Sequence, residues 1–278
     1  MKVVVLGGHG MLGTDLASIL EEDGNNVKVF DLPYCDLTNP EHVSNACKGV
    51  DTVVNCAAYT QVDKAEDEPE LACKVNALAV ENLGRLIRDN DQYLIQISTD
   101  FVFDGAGSDP YTETDEPRPL SVYGSTKLEG ELLLAGTGCK HAIVRVQWSY
   151  GANGDNFISK LVTRAKGNAP LKVVDDQIGA PTWTRDMAQA LKCLLKKRHE
   201  GLYHFANTGY ASRYDVARFI LDALDMDNEL TPCSSDEFPM KAARPKNSRF
   251  ALDKIQKHLD FEIRPWQMAL AEYLRYHG

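Results

Sequence analysis

A glycine-rich turn near the start of the chain is the feature that most constrains its fold. The run 3–6 (Val-Val-Val-Leu) is typical of a buried strand, and the apolar pattern of a helix begins at Met11. Between them, Gly7, Gly10 and Gly13 permit a tight turn, a close approach to a pyrophosphate and packing of the helix on the strand. Free N–H groups at the start of the helix favour a phosphate. The turn predicts an N-terminal dinucleotide-binding βαβ unit, and the alternative is a glycine-rich turn without a ligand.

Apolar runs alternate with helical patterns through the first half of the chain, which predicts a parallel sheet covered by helices. We therefore expect an α/β fold, a Rossmann-like doubly wound parallel sheet with a smaller C-terminal substrate-binding lobe. The predicted NAD(P)-binding Rossmann domain comprises residues 1–147 and about 184–210, and the lobe comprises about 148–183 and 211–278. The predicted strands are 2–6, 27–30, 52–55, 93–97, 142–146, 171–174 and 202–206. The predicted helices are 11–23, 40–48, 66–90, 121–135, 156–166, 184–197 and 266–276, and 231–248 is predicted to be irregular loop.

Composition excludes several kinds of partner. The formal net charge of −10 and the pI near 5.2 argue against nucleic acid or an anionic membrane. The seven cysteines contain no Cys-x-x-Cys pair, so neither a disulfide framework nor a zinc site is expected. This usage suits a reducing compartment, and the apolar N-terminal run is too short for a signal or a membrane span. We predict a cytoplasmic protein.

Tyr123 and Lys127 are the strongest candidates for chemistry. Four residues are just over one helical turn, so a helix over 121–135 projects both side chains from one face. A nearby positive charge favours the phenolate, which predicts a lowered pKa for Tyr123 and suits it to act as a general acid. Thr99 follows a predicted strand at the edge where such sheets bind ligands, and its hydroxyl can hydrogen-bond a substrate oxygen. The alternatives are a chance pair on an exposed helix face and ordinary turn chemistry at Thr99.

An acidic residue near the second predicted strand bears on the cofactor. Asp31 has the spacing of a carboxylate that accepts hydrogen bonds from the adenine ribose. No arginine stands at 32–35 to meet a 2′-phosphate, so we predict a preference for NADH over NADPH. Asp36 and Leu37 are expected to flank the adenine, with a helix-capping acid beside a core leucine as the alternative.

Five further stretches, 55–66, 98–105, 119–131, 174–182 and 244–248, resemble the dTDP-4-dehydrorhamnose reductases of the extended short-chain dehydrogenase/reductase superfamily. The resemblance covers almost the whole chain. It implies NAD(P)H-dependent reduction of the C4 ketone of dTDP-4-dehydro-β-L-rhamnose to dTDP-β-L-rhamnose, a precursor of rhamnose-containing surface polysaccharides. It also implies that Thr99, Tyr123 and Lys127 form the catalytic triad.

The expected site residues follow from the turn, the triad and this resemblance. For the cofactor they are Gly7, Gly10, Met11, Leu12, Gly13, Asp31, Asp36, Leu37, Ala57, Ala58, Tyr59, Tyr123 and Lys127. For the nucleotide sugar they are Val62, Thr99, Asp100, Phe101, Tyr123, Trp148, Asn156, Arg244 and Asn247, with Arg244 near the pyrophosphate and Asn156 opening a helix beside a phosphate. Trp148 is equally plausible as a core residue, and Arg244 as part of a solvated basic loop. Some family members hold magnesium at a dimer interface, but only Asp15 matches here, so we predict no metal; a homodimer is compatible with the resemblance.

Other functions differ from this prediction in identifiable residues. A dehydratase of the superfamily carries an acidic pair after the threonine, whereas here Asp100 is followed by Phe101. Phe101 also departs from the tyrosine often seen in the reductases. A reductase or epimerase of another nucleotide sugar shares the triad and stays an alternative. So does a non-catalytic regulatory subunit like that of methionine adenosyltransferase, although the intact triad weighs against it.

Overall fold

A six-stranded parallel sheet lies at the centre of the computed structural model, which describes residues 1–167 and 169–277. The strands are β1 (Lys2–Leu6), β2 (Asn26–Phe30), β3 (Thr52–Asn55), β4 (Tyr93–Thr99), β5 (Lys140–Val146), β6 (Ser149–Tyr150), β7 (Leu171–Val174), β8 (Ile178–Gly179), β9 (Thr182–Trp183), β10 (Gly201–Phe205), β11 (Ala211–Ser212) and β12 (Leu230–Cys233). The helices are α1 (Met11–Glu22), α2 (Pro40–Ala46), α3 (Val62–Ala65), α4 (Pro69–Cys73), α5 (Ala79–Asp89), α6 (Val122–Gly136), α7 (Phe157–Ala165), α8 (Thr184–Lys197), α9 (Arg213–Ala223), α10 (Asp253–Gln256) and α11 (Trp266–His277). The central sheet has the order β10-β5-β4-β3-β1-β2.

The order of the strands places a crevice beside β1. The chain leaves β1 to form β2 on one side and then crosses to form β3 on the other, and both neighbours run parallel to β1. The connections that follow β1 and β3 therefore diverge at the carboxyl ends of these strands, which is where doubly wound sheets bind ligands. The predicted Rossmann-like fold class is confirmed.

Alternating side chains of the strands build two cores, one on each face of the sheet. In β1, Val3 and Val5 pack with residues of α1 and α8, whereas Val4 and Leu6 pack with residues of α2, α5 and α6. Successive side chains of a strand point to opposite faces, so a strand covered on both sides is apolar throughout. All four of these β1 residues are at most 2% exposed.

A separate hydrophobic cluster lies among the C-terminal elements. It joins residues of α7, β7, α9 and α11 with Tyr150 and Trp183. Three two-stranded sheets, β6–β9, β7–β12 and β8–β11, accompany it. The segment around Ile255 and Ile263 instead packs with the core that α1 and α8 form.

Several predicted elements differ from the structure. The predicted helix over 66–90 begins only at Pro69, which suits a first helical position, and a π-helical turn (Lys74–Leu78) interrupts it before α5. The prediction that 231–248 is irregular throughout is wrong for its first residues, because β12 pairs in parallel with β7 through Thr231 and Cys233. Helix α9 was not among the helices predicted from the sequence.

Candidate active site

A cleft of about 680 Å³ runs along the carboxyl ends of the strands. We call it the cofactor groove. It extends from the glycine turn after β1 to the start of α6. Of the predicted residues it is lined by Gly7, Gly10, Met11, Leu12, Gly13, Asp31, Asp36, Leu37, Ala57, Ala58, Val62, Thr99, Asp100, Phe101, Tyr123, Lys127 and Trp148.

The geometry of the glycine turn fits a pyrophosphate. Gly7 has a positive φ of 70°, and a Cβ atom there would lie 2.5 Å from the backbone nitrogen of Ala57. Only glycine permits this approach of the first turn to the segment after β3. Gly10 is the N-cap of α1, and no side chain caps the helix. The backbone N–H groups of its first turn are therefore available to a phosphate.

Asp31 links the end of β2 to the glycine turn. Its carboxylate accepts a hydrogen bond from the N–H of His9 at 3.0 Å and another from its neighbour Leu32 at 2.8 Å. Asp36 accepts hydrogen bonds from the N–H and the hydroxyl of Thr38, both at 2.8 Å, and these bonds hold its pKa below the usual range of a carboxyl. Two carboxylates thus border the end of the groove where the adenosine of a dinucleotide is expected.

Local structure brings the three candidate catalytic residues together. Thr99 is the last residue of β4, and Tyr123 and Lys127 lie in the first turns of α6. The Ser121 hydroxyl caps α6 by accepting from the N–H of Gly124 at 3.2 Å. A bond from the N–H of Val122 to the Glu66 carboxylate (2.8 Å) fixes the helix start as well. The helix register is therefore set immediately before the tyrosine.

Lys127 lies deep in the wall of the groove. It is 4% exposed, and its ammonium donates a hydrogen bond to the carbonyl oxygen of Ile97 at 2.7 Å. Burial lowers the pKa of Lys127 to about 8, and the charges of Glu131 and Cys56 oppose this shift. Since an ammonium has three donors, its remaining N–H groups can serve a ligand in the groove.

The pKa of Tyr123 differs from the sequence-based prediction. Burial raises the pKa of Tyr123 to about 12, although part of the ring faces the groove, and a hydrogen-bonding contribution from Thr99 opposes the rise. The lysine was expected to lower it, but spacing along a helix carries no information on desolvation, and desolvation dominates here. The phenol therefore keeps its proton at neutral pH, which is the form that a proton donor requires.

A buried charged network lies behind Lys127. Arg145 in β5 forms a two-nitrogen contact with Glu131 in α6, with the closest pair Nη2–Oε2 at 2.6 Å. The hydroxyl of Ser98 donates to the same carboxylate. Burial lowers the pKa of His204 to about 3, with the charge of Arg145 adding to the effect, so this ring is neutral beside the pair. The network anchors α6 to β4 and β5 from within the core.

A second cavity of about 390 Å³, which we call the substrate cavity, adjoins the groove. The residues common to both are Asp100, Phe101, Trp148 and Arg213. The ring of Phe101 lies edge-on to that of Tyr123 at 5.4 Å between centroids. Asp100 is buried, and burial raises the pKa of its carboxyl although Ser248 donates to it at 2.5 Å and Thr99 at 3.1 Å. The candidate catalytic residues Thr99 and Tyr123 thus lie beside the place where the two cavities meet.

Four of the predicted site residues form hydrogen bonds or ion pairs with other parts of the protein. Arg244 lines the substrate cavity, but its guanidinium forms an ion pair with Asp63, at 2.6 Å for Nη2–Oδ2 and 3.1 Å for Nη1–Oδ1. Asn247 donates to the carbonyl oxygens of residues 107 and 109, and it lines neither cavity. Asn156 caps α7 and donates to the carbonyl oxygen of residue 151, so its amide is engaged. The phenol of Tyr59 donates to Glu68 at 2.7 Å, and Tyr59 does not line the groove.

Arg213 is the residue at this junction that the sequence analysis missed. It is the first residue of α9, and its Cζ lies 3.6 Å from the centroid of the Trp148 ring. A signal was present in the sequence, because Ser212 and Asp215 form a capping box before an apolar run. That signal predicts a helix start but not the cavity on which it opens.

Within residues 1–167 and 169–277, no group of three or more His, Cys, Asp or Glu side chains is arranged to hold a metal ion. Asp15 accepts a hydrogen bond from Thr184 at 2.5 Å. Nor does any described helix have the length and apolar character needed to cross a membrane.

The sheet and the position of the groove place the chain among the Rossmann-fold short-chain dehydrogenases/reductases. Comparison with known families then identifies the particular family within this class. The family described as RmlD substrate binding domain matches residues 1–277, and the chain belongs to it. This confirms the resemblance seen in the sequence motifs.

Individual relatives agree with this assignment. The dTDP-4-dehydrorhamnose reductase of Mycolicibacterium smegmatis is 38% identical over 98% of this chain and 84% of its own length. A crystal structure of a dTDP-4-dehydrorhamnose reductase from Clostridium acetobutylicum superposes with a TM-score of 0.95 at 37% identity, covering 99% of each chain. The Bacillus anthracis dTDP-4-dehydrorhamnose reductase, solved in complex with NADP, gives a TM-score of 0.95 at 32% identity, again over 99% of each chain.

Proposed function

We propose that this chain reduces the C4 ketone of dTDP-4-dehydro-β-L-rhamnose to the hydroxyl of dTDP-β-L-rhamnose, with NADH or NADPH as the reductant. The observation that carries this proposal is the meeting of the cofactor groove and the substrate cavity at Asp100 and Phe101, beside Thr99 and Tyr123. Family membership supplies the substrate class. The product would serve the synthesis of rhamnose-containing surface polysaccharides.

The side chains at the junction have separable roles in this reaction. The residues of the groove would hold a reduced nicotinamide, which would supply a hydride to the carbonyl carbon. Tyr123 donates its phenolic proton to the carbonyl oxygen as negative charge develops there. The Thr99 hydroxyl donates to Asp100 in this structure, and it can stabilise the same carbonyl oxygen once it rotates away from that carboxylate. Lys127 already donates to Ile97 and offers its other N–H groups to the nicotinamide ribose.

The alternatives meet specific obstacles. A dehydratase must remove a proton from a sugar carbon, and here an apolar Phe101 follows Asp100 where the second acid would stand. A non-catalytic regulatory role gives no reason for a lysine 4% exposed beside a tyrosine in an open groove. Epimerisation or reduction of another nucleotide sugar uses the same residues, so the substrate itself distinguishes these activities.

For the cofactor we propose a preference for NADH. The lysine and arginine side chains among the described residues that line the groove are Lys127 and Arg213, and both lie at the sugar end. Asp31, at the opposite end, would repel a 2′-phosphate. The relative solved with NADP shows that a family member accepts the phosphorylated cofactor, so the preference is a property to be measured in this chain.

Three further expectations remain proposals. The division into a cofactor domain (1–147 and about 184–210) and a lobe (about 148–183 and 211–278) is supported by the separate cluster of α7, α9 and α11. A cytoplasmic location is supported by seven free cysteines. A homodimer is compatible with family membership.

The decisive experiment supplies enzymatically prepared dTDP-4-dehydrorhamnose with NADH or NADPH and follows loss of reduced-nicotinamide absorbance. We expect turnover with both cofactors and a higher kcat/KM with NADH.

Tyr123→Phe should lower kcat by about 10²- to 10⁴-fold with an unchanged Kd for NADH, because only the proton donor is removed. Tyr276→Phe, the same change at a tyrosine 73% exposed in α11, should leave kcat unchanged.

Two results would contradict the proposal. One is the absence of NADH or NADPH consumption under conditions where the cofactor binds. The other is formation of an epimer without net consumption of reduced cofactor, which would favour the epimerase alternative. Identification of the product by NMR separates these results.

A further inference from the structure

Arg213 has a guanidinium that the described part of the protein leaves without a hydrogen-bond or ion-pair partner. Its Cζ lies 3.6 Å from the ring centroid of Trp148 and 5.0 Å from that of Phe157. No hydrogen bond or ion pair joins it to a residue in 1–167 or 169–277. Burial, followed by the charge of Arg244, lowers the pKa of Arg213 to about 10, and the charge of Asp100 opposes the shift.

Burying such a charged group raises the free energy of the folded protein unless a ligand supplies hydrogen-bond acceptors. A guanidinium carries five N–H donors and stays protonated at physiological pH, so a partly buried one needs acceptors. Two other cations of the substrate cavity show the contrast, whereas a third, Arg164, forms no ion pair with a described residue but is exposed to solvent. Arg244 is paired with Asp63, and Lys172 with Glu237.

The neighbouring carboxylate does not supply the missing acceptor. Asp100 is near enough for its charge to act on Arg213, but no hydrogen bond or ion pair joins the two side chains, and the Asp100 oxygens accept from Thr99 and Ser248 instead. Burial also raises the pKa of the Asp100 carboxyl. The hydrogen-bond donors of Arg213 therefore remain available for a ligand.

The position of Arg213 indicates which part of a ligand it meets. Arg213 lines both the cofactor groove and the substrate cavity, beside the residues that flank the reaction centre. In a nucleotide sugar the diphosphate is bonded directly to the sugar. An anion joined to a sugar at the reaction centre must therefore lie close to this junction.

We propose that Arg213, held over the ring of Trp148, binds the diphosphate of the nucleotide-sugar substrate and so positions the sugar carbonyl at Tyr123. A guanidinium stacked on an indole keeps its in-plane N–H groups free for paired hydrogen bonds to phosphate oxygens. The ligand class rests on the proposed function, whereas the assignment of Arg213 rests on its missing partner and its place in the two cavities.

The test measures binding of dTDP, thymidine and NADH to the full chain by calorimetry. Arg213→Gln should weaken dTDP binding by about 10- to 100-fold, the range expected for losing hydrogen bonds between charged groups. Thymidine and NADH affinities should stay within about two-fold of wild type, since neither needs this contact. Arg213→Lys, which keeps the charge but not the planar pair of donors, should give an intermediate loss.

Arg218→Gln is the matched control. Arg218 lies on the same helix, its Cζ is 5.7 Å from the centroid of the Tyr214 ring, and its side chain is exposed outside both cavities. It should bind dTDP as wild type does. Thermal unfolding of each variant checks that the fold is retained.

Three outcomes overturn the assignment: dTDP affinity unchanged in Arg213→Gln, equal loss of dTDP and thymidine affinity, or no dTDP binding by wild type. Equal losses would mean that Arg213 only supports the Trp148 wall. If wild type binds dTDP through Arg213 but reduces no ketone, the proposed function fails while the diphosphate subsite stands. If it reduces the ketone and Arg213→Gln binds dTDP normally, only the assignment of Arg213 fails.

Discussion

Gly124 in α6 lies against the carbonyl oxygen of Phe101, so close that a Cβ atom at position 124 would stand 2.1 Å from that oxygen. The contact lets the helix that carries Tyr123 approach the turn that follows Thr99. Backbone atoms cannot give way as a flexible side chain can. The absence of a side chain at Gly124 therefore sets the distance between the proton donor and the threonine.

Gly124→Ala should separate α6 from this turn and lower kcat by about 10²-fold, because displacements near 1 Å at a reacting centre have effects of that size. The matched control is Gly136→Ala in the same helix, where a Cβ meets nothing within 4 Å. That variant should keep wild-type kcat and gain about 0.5–1 kcal/mol of stability. Steady-state kinetics and urea unfolding of both variants provide the check, and a wild-type kcat in Gly124→Ala would refute the steric argument.

The rate should depend on the protonation of Lys127. Its folded-state pKa is about 8, and the ammonium form carries the positive charge and is the stronger hydrogen-bond donor. We expect kcat/KM for NADH to fall as pH rises through about 8. In Lys127→Arg the remaining activity should lack this fall, because a guanidinium does not deprotonate in this range. An identical alkaline limb in both proteins would assign the titration to another group.

Lys127 should also lower stability near neutral pH. Its pKa falls from 10.5 in the unfolded chain to about 8, so the unfolded state binds more protons between these values and the free energy of unfolding rises with pH across this window. Replacement by an uncharged side chain, Lys127→Met, should therefore stabilise the protein at pH 7, by on the order of 1–3 kcal/mol. The advantage should shrink toward pH 10.5. Denaturant unfolding at several pH values measures it, and a difference independent of pH would contradict the linkage.

The buried Arg145–Glu131 ion pair should contribute to the stability of the fold. Its side chains are 3% and 6% exposed, so Glu131→Gln leaves an uncompensated guanidinium in the core and should destabilise the protein by about 3–5 kcal/mol. Adding Arg145→Met should recover part of this loss. Glu129→Gln, at an exposed position of the same helix, should change stability by less than about 0.5 kcal/mol. Equal effects of the two glutamine substitutions would exclude a special role for the buried pair.

The cofactor preference should depend on the charge of Asp31. Asp31→Asn keeps an acceptor for the N–H of His9 but removes the negative charge near the adenosine end of the groove. We expect the ratio of kcat/KM for NADPH to that for NADH to rise by about ten-fold, the equivalent of about 1.4 kcal/mol. Asp36→Asn is the control for removing a carboxylate from the same wall. A ratio that does not change in Asp31→Asn would show that another feature selects the cofactor.

Local pattern and tertiary contacts contributed differently to what the sequence could predict. The strand β3 and the helix α8 have the bounds expected from their apolar patterns, and the glycine turn faces the groove as expected. Desolvation of Tyr123 could not be predicted, because it depends on elements distant in the chain. The π-helical turn in the predicted helix over 66–90 could not be predicted either. It contains Asn76, whose amide oxygen accepts a hydrogen bond from the N–H of Tyr59, outside this helix, at 2.8 Å.

The ion pair of Arg244 with Asp63 joins residues 181 positions apart, and it connects the walls of two sites. Val62, the neighbour of Asp63, lines the cofactor groove, whereas Arg244 lines the substrate cavity. An anion that draws Arg244 toward itself removes the partner of a carboxylate beside the groove. Occupancy of the two sites is then linked by a coupling free energy, and that energy is the same in both directions. A nucleotide sugar that displaced Arg244 in this way would change the affinity for the dinucleotide by the same factor by which the dinucleotide would change the affinity for the nucleotide sugar.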